Sequence, residues 1–229
     1  MKICAISDVH GQFNNLQIEK SDLLFICGDI VPLRMQRNIP QSFKWFKQVF
    51  IPWCEEQPVE FIYMVWGNHD FLGNVWHDKC LDAVKNTKIT ILNDSGAIFI
   101  DSDTGKSYTI WGSPLCHIFG DWAFMYSDEH NKLEFEKIPD NCDFLLTHDA
   151  AYKHSDQCLG FSDDYEKSLH RGNIPLQEIV EKRKPKYHLF GHLHTCDHNL
   201  INYDGTLTAC VSLLNEQYTM YYKPLYLEI

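Results

Sequence analysis

The sequence contains no apolar run approaching the roughly 18 residues that a membrane-spanning helix needs, so no transmembrane segment is expected. Nor does it open on a long apolar segment closed by a small-residue cleavage site. Met1 to Ser7 reads instead as a strand that starts almost at the first residue, and a cytoplasmic protein is the expectation. CxxC pairs are absent, and the nine cysteines, an odd number, are scattered from Cys4 to Cys210. A disulfide framework belongs to short secreted chains, so these thiols are read as reduced and several of them as small core hydrophobes. Basic side chains are scarce: 20 Lys and Arg face 31 Asp and Glu, a formal charge of -11. That deficit opposes binding to long nucleic acid by neutralisation of many phosphates. It does not oppose capture of a single phosphate at a metal centre, where bound cations dominate the local field. No repeat, low-complexity stretch or Ser/Pro-rich linker interrupts the chain, so one domain over residues 1–229 is the simplest organisation.

What is present is a succession of short apolar runs closed by polar or glycine-containing turns. Ile3 to Ser7, Leu23 to Cys27, Phe61 to Trp66, Phe144 to Thr147 and Tyr187 to Phe190 read as buried strands. Ala97 to Ile100 and Ser107 to Trp111 bracket the turn Asp103-Thr104-Gly105-Lys106 and predict a hairpin. Asn199 to Tyr203 and Thr206 to Val211, joined by Asp204-Gly205, predict another, and a late strand is expected near Leu225 to Ile229. Between the early strands, Ser42 to Glu56 predicts a helix with Phe43, Phe46, Val49 and Phe50 on one face, which Pro52 must bend or divide. Val75 to Lys85 and Leu176 to Arg183 are further helical segments. Alternating strands and helices argue an α/β core, and the added hairpins argue a mixed sheet or two sheets. The segment from His117 to Pro139 has weak periodicity and many aromatics, and reads equally as a packed surface excursion or as a lid.

Metal-competent side chains recur where the strands end. Asp8-Val9-His10 follows the first strand, Gly28-Asp29 the second and Gly67-Asn68-His69-Asp70 the third, while Thr147-His148 and Gly191-His192-Leu193-His194 close two later ones. Ligand sites of open α/β sheets form beyond the carboxyl ends of strands, so five such clusters would converge if those strands run parallel side by side. Taken singly, each is weak evidence, because aspartate at a strand end is commonly a turn residue and a lone histidine is commonly structural. Five in order are hard to explain without a shared site.

In this order, DxH, GD, GNHD, H and GHxH, the clusters resemble the signature of the calcineurin-like metallophosphoesterases, and they span Asp8 to His194. The resemblance implies a four-layer αββα sandwich with two mixed β-sheets and a metal site at the carboxyl ends of the strands. It implies two divalent cations, manganese, iron, zinc or nickel, with Asp8, His10 and His194 holding the first. Asn68, His148 and His192 would hold the second, and Asp29 would bridge both. Cations about 3.5–4 Å apart need a shared anionic ligand, and they lower the pKa of a bridging water so that hydroxide is available near neutral pH. His69 is placed by the resemblance near the leaving group, as general acid or as donor to the phosphoryl oxygen. Asp70 either orients the His69 imidazole or caps the following helix.

Other residues carry less. Arg34 and Arg171 could meet a substrate phosphate, though lone arginines are usually solvated. Arg34 stands one place later than the arginine of the protein phosphatases of the superfamily, which counts against protein-phosphatase activity. His77, His117, His154 and His170 read as surface or lid residues. Cys196 and His198 follow the GHxH motif closely, but without a CxxC partner they do not predict a separate zinc site. The stretches Trp111-Gly112-Ser113-Pro114, Trp122-Ala123-Phe124 and Thr147-His148-Asp149 are similar to small single-domain phosphodiesterases of the superfamily. A small phosphodiester, with a cyclic nucleotide as one candidate, is therefore the expected substrate, bound with help from Asn68, His69 and Arg34. The alternatives are a phosphomonoesterase for nucleotides or phosphoproteins and a catalytically weak nucleotide-binding scaffold; retention of His69 counts against the scaffold.

Overall fold

The computed structural model describes residues 1–14, 16–140, 142–158 and 169–229. β-Branched and apolar runs form β1 (Lys2–Ile6), β2 (Ser21–Cys27), β3 (Val59–Val65) and β4 (Ile89–Ile91), which pair parallel in that order. The second sheet begins with the antiparallel hairpin β5 (Ser95–Ile100) and β6 (Ser107–Ser113) and continues parallel into β7 (Phe144–Thr147). A two-stranded ribbon, β8 (Gln157–Cys158) and β9 (Leu169–His170), precedes β10 (Tyr187–Phe190), which pairs parallel with β7. The hairpin β11 (Ile201–Tyr203) and β12 (Thr206–Cys210) completes that sheet, with β12 parallel to β10. The last strand, β13 (Leu225–Glu228), returns to the first sheet and pairs antiparallel with β1.

Side chains alternate across each strand, so each sheet buries two different faces. Ile3, Ala5, Leu23, Phe25, Tyr63 and Val65 of the first sheet meet Ile110, Phe144, Leu146, Leu189 and Ala209 of the second in one inner core. The alternate residues Cys4, Ile6, Leu24, Ile26, Ile62 and Met64 pack outward on a helical layer through Phe46, Phe50, Leu72 and Cys80. On the far side, Leu145 packs with Leu115, Phe135, Leu176, Ile179 and Val180 of another helical layer. Helix, sheet, sheet, helix is the four-layer arrangement expected.

The helices depart from expectation in instructive ways. The helix expected over Ser42 to Glu56, bent or divided by Pro52, is divided there: α1 (Ile39–Trp45), a π-helical turn over Phe46–Phe50, and α2 (Ile51–Glu56). The amide of Ile51 reaches back to the carbonyl of Phe46, so one extra residue is accommodated and a new helix starts where the missing N–H of Pro52 costs nothing. Phe46 and Phe50 are fully buried, but Val49 is turned off their face and is 46% exposed. The helix expected at Val75 to Lys85 is α4 (His77–Val84), and a short helix not expected, α3 (Phe71–Val75), precedes it. Within the weakly periodic segment 117–139, α5 (Asp128–Phe135) forms behind Ser127, whose Oγ accepts from the amide of His130. The last helix, α6 (Ile174–Arg183), follows the cap Asn173. Among the described residues, no helix is long and apolar enough to cross a membrane.

Candidate metal centre

Chain geometry at the strand ends is what brings the polar clusters together. Asp8, His10, Asp29 and His192 all adopt positive φ, at 54, 42, 53 and 68°. That region is costly for residues with a Cβ and persists only where the surroundings enforce it. Here the enforcement is mutual: the amide of Asp8 donates to the Gly28 carbonyl and that of His10 to the Asp29 carbonyl, each at 3.0 Å. Glycine is needed where the loops pass one another. A Cβ on Gly67 would lie 2.2 Å from Asp29 Oδ1, and one on Gly191 would lie 2.0 Å from Ser7 Oγ and 2.4 Å from Asp8 Oδ2. Ser7 and Ser212 form a parallel bridge just beyond β1 and β12, which ties the two sheets together at the edge of the site.

Seven side chains converge there. One donor atom from each of Asp8, His10 and His194 lies within 4.8 Å of the others, and the same holds for Asp8, Asp29 and His148. Asp29 Oδ2 stands 3.6 Å from His10 Nε2 and 3.5 Å from His148 Nε2, between the two imidazoles expected to serve different cations. Asp8 Oδ1 is 3.3 Å from His194 Nε2, and Asn68 Oδ1 is 2.8 Å from His148 Nε2. His192 packs its ring 5.1 Å from that of His148. The orientation of the rings is set from behind. Nδ1 of His10, His148 and His194 faces the backbone carbonyl of Val31, Cys27 and Asn215, at 3.4, 2.8 and 3.0 Å. Each imidazole therefore presents Nε2 to the carboxylates, the disposition a metal-binding histidine requires.

The electrostatics fit a cation. Asp8 and Asp29 are buried, and among the described residues their ion-pair partners are histidines rather than lysine or arginine. Burial alone would favour protonated carboxyls, yet the surrounding imidazoles hold both well below the usual carboxylate range. Burial likewise disfavours charged imidazoles. The carboxylates nevertheless push His148 up to about 10 and His194 up to about 9. His192, dominated by burial and by its neighbour His148, falls to about 4. His10 Nε2 is buried and, among the described residues, has no hydrogen-bond partner. An orphaned imidazole nitrogen facing two buried carboxylates is an unsatisfied donor set, and carboxylate, imidazole and amide oxygen together suit a borderline divalent ion.

A model of the family described as calcineurin-like phosphoesterase matches residues 1–196. The chain belongs to that family. It is 27% identical over 214 residues to UPF0046 protein K07C11.7 of Caenorhabditis elegans, covering 85% of this chain and 63% of that protein. With UPF0046 protein T07D4.2 of the same organism it shares 34% identity over 104 residues, 44% of this chain and 24% of that one. The chain thus spans less than two thirds of the length of these curated relatives. Its fold is similar to that of phosphopantetheinyl hydrolase from Mycobacterium tuberculosis, with a TM-score of 0.60, 15% identity, and 95% and 90% of the two chains covered.

Around the centre of this member of the calcineurin-like phosphoesterase family, the auxiliary residues differ from the sequence reading. His69 is in place: Nε2 is 3.9 Å from Asp29 Oδ2, and its backbone amide donates to Asp29 Oδ1. Asp70 does not orient it. The Asp70 carboxylate is fully buried and accepts from the amides of Val31, Ile30 and Gly67, at 2.9, 3.3 and 2.8 Å, and it makes no side-chain cap to α3. Burial, helped by Asp29, pushes it up to about 7. The partner of His69 Nδ1 is Gln36 Oε1, at 2.5 Å. Sequence reasoning missed Gln36 because a lone glutamine in a turn carries no spacing signal. Arg34 is exposed and lines a different depression with Leu33 and Arg37. Nor do His77, His117, His154 and His170 line the cleft, although His154 is buried, not a surface residue. The cleft itself, about 240 Å³, is lined by Asp29, Asn68, His69, His192 and His194, with Phe119, Trp122, Tyr218 and Glu216 around them. Segment 117–139 therefore contributes Phe119 and Trp122 as a wall, held by the amide of Ala123 donating to the Asn68 carbonyl.

Proposed function

We propose that the chain is a metal-dependent phosphoesterase acting on a small phosphodiester. The observation that carries the hydrolytic reading is the pair of buried carboxylates, Asp8 and Asp29, ringed by imidazoles whose Nε2 atoms face inward. Asp8, His10 and His194 would hold one divalent cation, Asn68, His148 and His192 the other, and Asp29 would serve both. The chemistry such cations supply is Lewis-acid polarisation of the phosphate ester and acidification of water. The residues of the chain do the rest. Gln36 accepts from His69 Nδ1–H, which leaves Nε2 directed toward the cleft, where the doubly protonated ring would give the departing alkoxide or phenoxide its proton. Asn68 is fixed through its backbone carbonyl by Ala123, so its side-chain oxygen stays on the His148 side of the centre.

Preference for a diester over a monoester is supported by the cleft's charge. Among the described residues no lysine or arginine lines it, and Glu216 stands at its edge. A dianionic monoester lacks the charge-assisted partners it usually finds, while a monoanionic diester with an aromatic or heterocyclic group can use Phe119, Trp122 and Tyr218. The test is a panel of mono- and diesters assayed after metal removal and reloading with manganese, nickel, zinc or magnesium. Turnover of a bis-aryl phosphate with little monoester hydrolysis is expected, and the reverse preference would make the chain a monoesterase. Asp29→Asn is expected to abolish metal binding and turnover together. His69→Gln should lower kcat by about 100-fold or more while metal content stays at the wild-type level; loss of metal in that variant would remove the role assigned to His69.

A further inference from the structure

Behind the loop that carries His192 and His194 lies a second group of Lewis bases. Cys196 and His198 are on that loop, and Cys210 ends β12; the two sulfurs and one ring nitrogen of His198 all lie within 4.8 Å of one another. The sequence reading set a zinc site aside here for want of a second cysteine nearby, and the fold supplies that cysteine from the neighbouring strand.

A packing role alone accounts for the sulfurs but not for the imidazole. Cys196 and Cys210 are 5% and 2% exposed and sit against Leu193 and Phe190, as small hydrophobes do. Both thiols point at one acceptor, the Leu193 carbonyl, at 2.9 and 3.4 Å, so neither needs the other for satisfaction. His198 is different. Among the described residues its Nε2 is buried with no hydrogen-bond partner, and its ring, which also interacts with the Cys210 thiol and the His194 backbone, stacks on Tyr222 with centroids 3.5 Å apart and planes 14° apart. A buried polar atom without a partner costs stability unless something satisfies it, and an imidazole beside two thiols is a soft donor set.

We propose that Cys196, His198 and Cys210 form a metal site for a thiophilic divalent cation of the zinc class, separate from the carboxylate–imidazole centre. Binding deprotonates the two thiols, their protons pass to solvent, and no electron is transferred. Three protein donors leave a fourth position for water or another ligand. The site is coupled to its neighbour by short covalent and hydrogen-bonded links. Cys196 is two residues from His194, and Cys210 Sγ contacts Ser212 Oγ at 3.4 Å, whose hydroxyl donates to Asp8 Oδ2 at 2.7 Å. Metal at the thiol cluster therefore pins the loop that presents His192 and His194.

The experiment uses the full chain, kept reduced with a phosphine, and titrates it with cobalt(II). Thiolate-to-cobalt charge transfer absorbs in the near ultraviolet only when sulfur is a ligand, and no residue of the carboxylate–imidazole centre offers one. A charge-transfer band is expected that saturates at one cobalt per chain and is displaced by zinc. It should disappear in Cys196→Ser and in Cys210→Ser, and His198→Gln should weaken cobalt affinity by about tenfold or more. Asp29→Asn, which disables the other centre, should leave the band intact, so failure of the hydrolytic reading and failure of this one are separable. Absence of the band in the wild-type chain at cobalt concentrations that fill the carboxylate–imidazole centre would overturn the proposal whether or not the variants fold. A band surviving in both cysteine variants would do the same.

Discussion

His188 is fully buried in β10, with Nε2 2.8 Å from Thr147 Oγ1. The Thr147 hydroxyl donates to the Asp149 carbonyl, so the threonine oxygen accepts from Nε2–H and Nδ1 is left without a partner among the described residues. Burial pushes this imidazole down from 6.5 to about 3, and it stays neutral in the folded chain. The unfolded chain takes up a proton near pH 6.5 and the folded one does not until about pH 3. Stability from this residue is therefore complete above the unfolded pKa and declines as pH falls through that interval, by about 1.4 kcal/mol per pH unit at the steepest. His188→Gln keeps an N–H for Thr147 and removes the titration. Urea midpoints measured from neutral to mildly acidic pH should fall less steeply for the variant, and parallel curves would show that His188 is not the titrating group. A neighbouring prediction concerns Gly191, whose missing Cβ lets the chain pass Ser7 and Asp8. Gly191→Ala is expected to cost about 1–3 kcal/mol by displacing one of them and to weaken metal binding, measurable by calorimetry with manganese. At this scale the seven expected ligands were legible because metal chemistry restricts residue type and places it at strand ends. Gln36, Ser212, Glu216 and Tyr218 were not, since each acts through a position that only the folded chain defines.

Helix caps separate local from tertiary contributions at the level of elements. Ser127 caps α5 from an exposed position with a long bond of 3.4 Å, whereas Asn173 caps α6 from a buried one, accepting from the Leu176 amide at 3.1 Å while its amide group donates to Asp149 Oδ2 at 3.2 Å. Ser127→Ala should cost about 0.5–1 kcal/mol. Asn173→Ala should cost about 2 kcal/mol or more, because it also leaves a buried carboxylate oxygen with one donor fewer. Equal losses by denaturant titration would mean that the buried bond to Asp149 adds nothing. The same elements show why the sequence reading was uneven. Strands β1, β2, β7 and β10, and β3 from Ile62 onward, are buried on both faces and read as plain apolar runs, and the hairpins announce themselves by their turns. α5 is mostly exposed and does not keep the 3.6-residue period long enough to be recognised, whereas α1–α2 is recognisable but its change of register within a single turn is not.

The whole molecule divides the candidate centre between its two sheets. Asp8, His10, Asp29 and Asn68 follow strands of the first, and His148, His192 and His194 follow strands of the second. Apolar runs predict that each sheet is buried but not which face meets the other sheet, so the convergence of five loops came from the family resemblance rather than from periodicity. Division across the sheets has a thermodynamic consequence. The donor set exists only while the sheets are packed through Phe25 and Phe144, whose rings lie 5.2 Å apart, so cations bind the folded chain and not the unfolded one. At about 100 times the dissociation constant this linkage contributes about 2.7 kcal/mol, which for a domain of this size raises the melting temperature by on the order of 5–10 °C. Calorimetric scans of chelator-treated chain, with and without manganese, should show that rise. Manganese is a hard ion and a poor partner for thiolates, so Cys210→Ser should retain the shift while Asp29→Asn loses it. Equal melting temperatures with and without metal in the wild-type chain would mean that the two sheets do not share a bound ion.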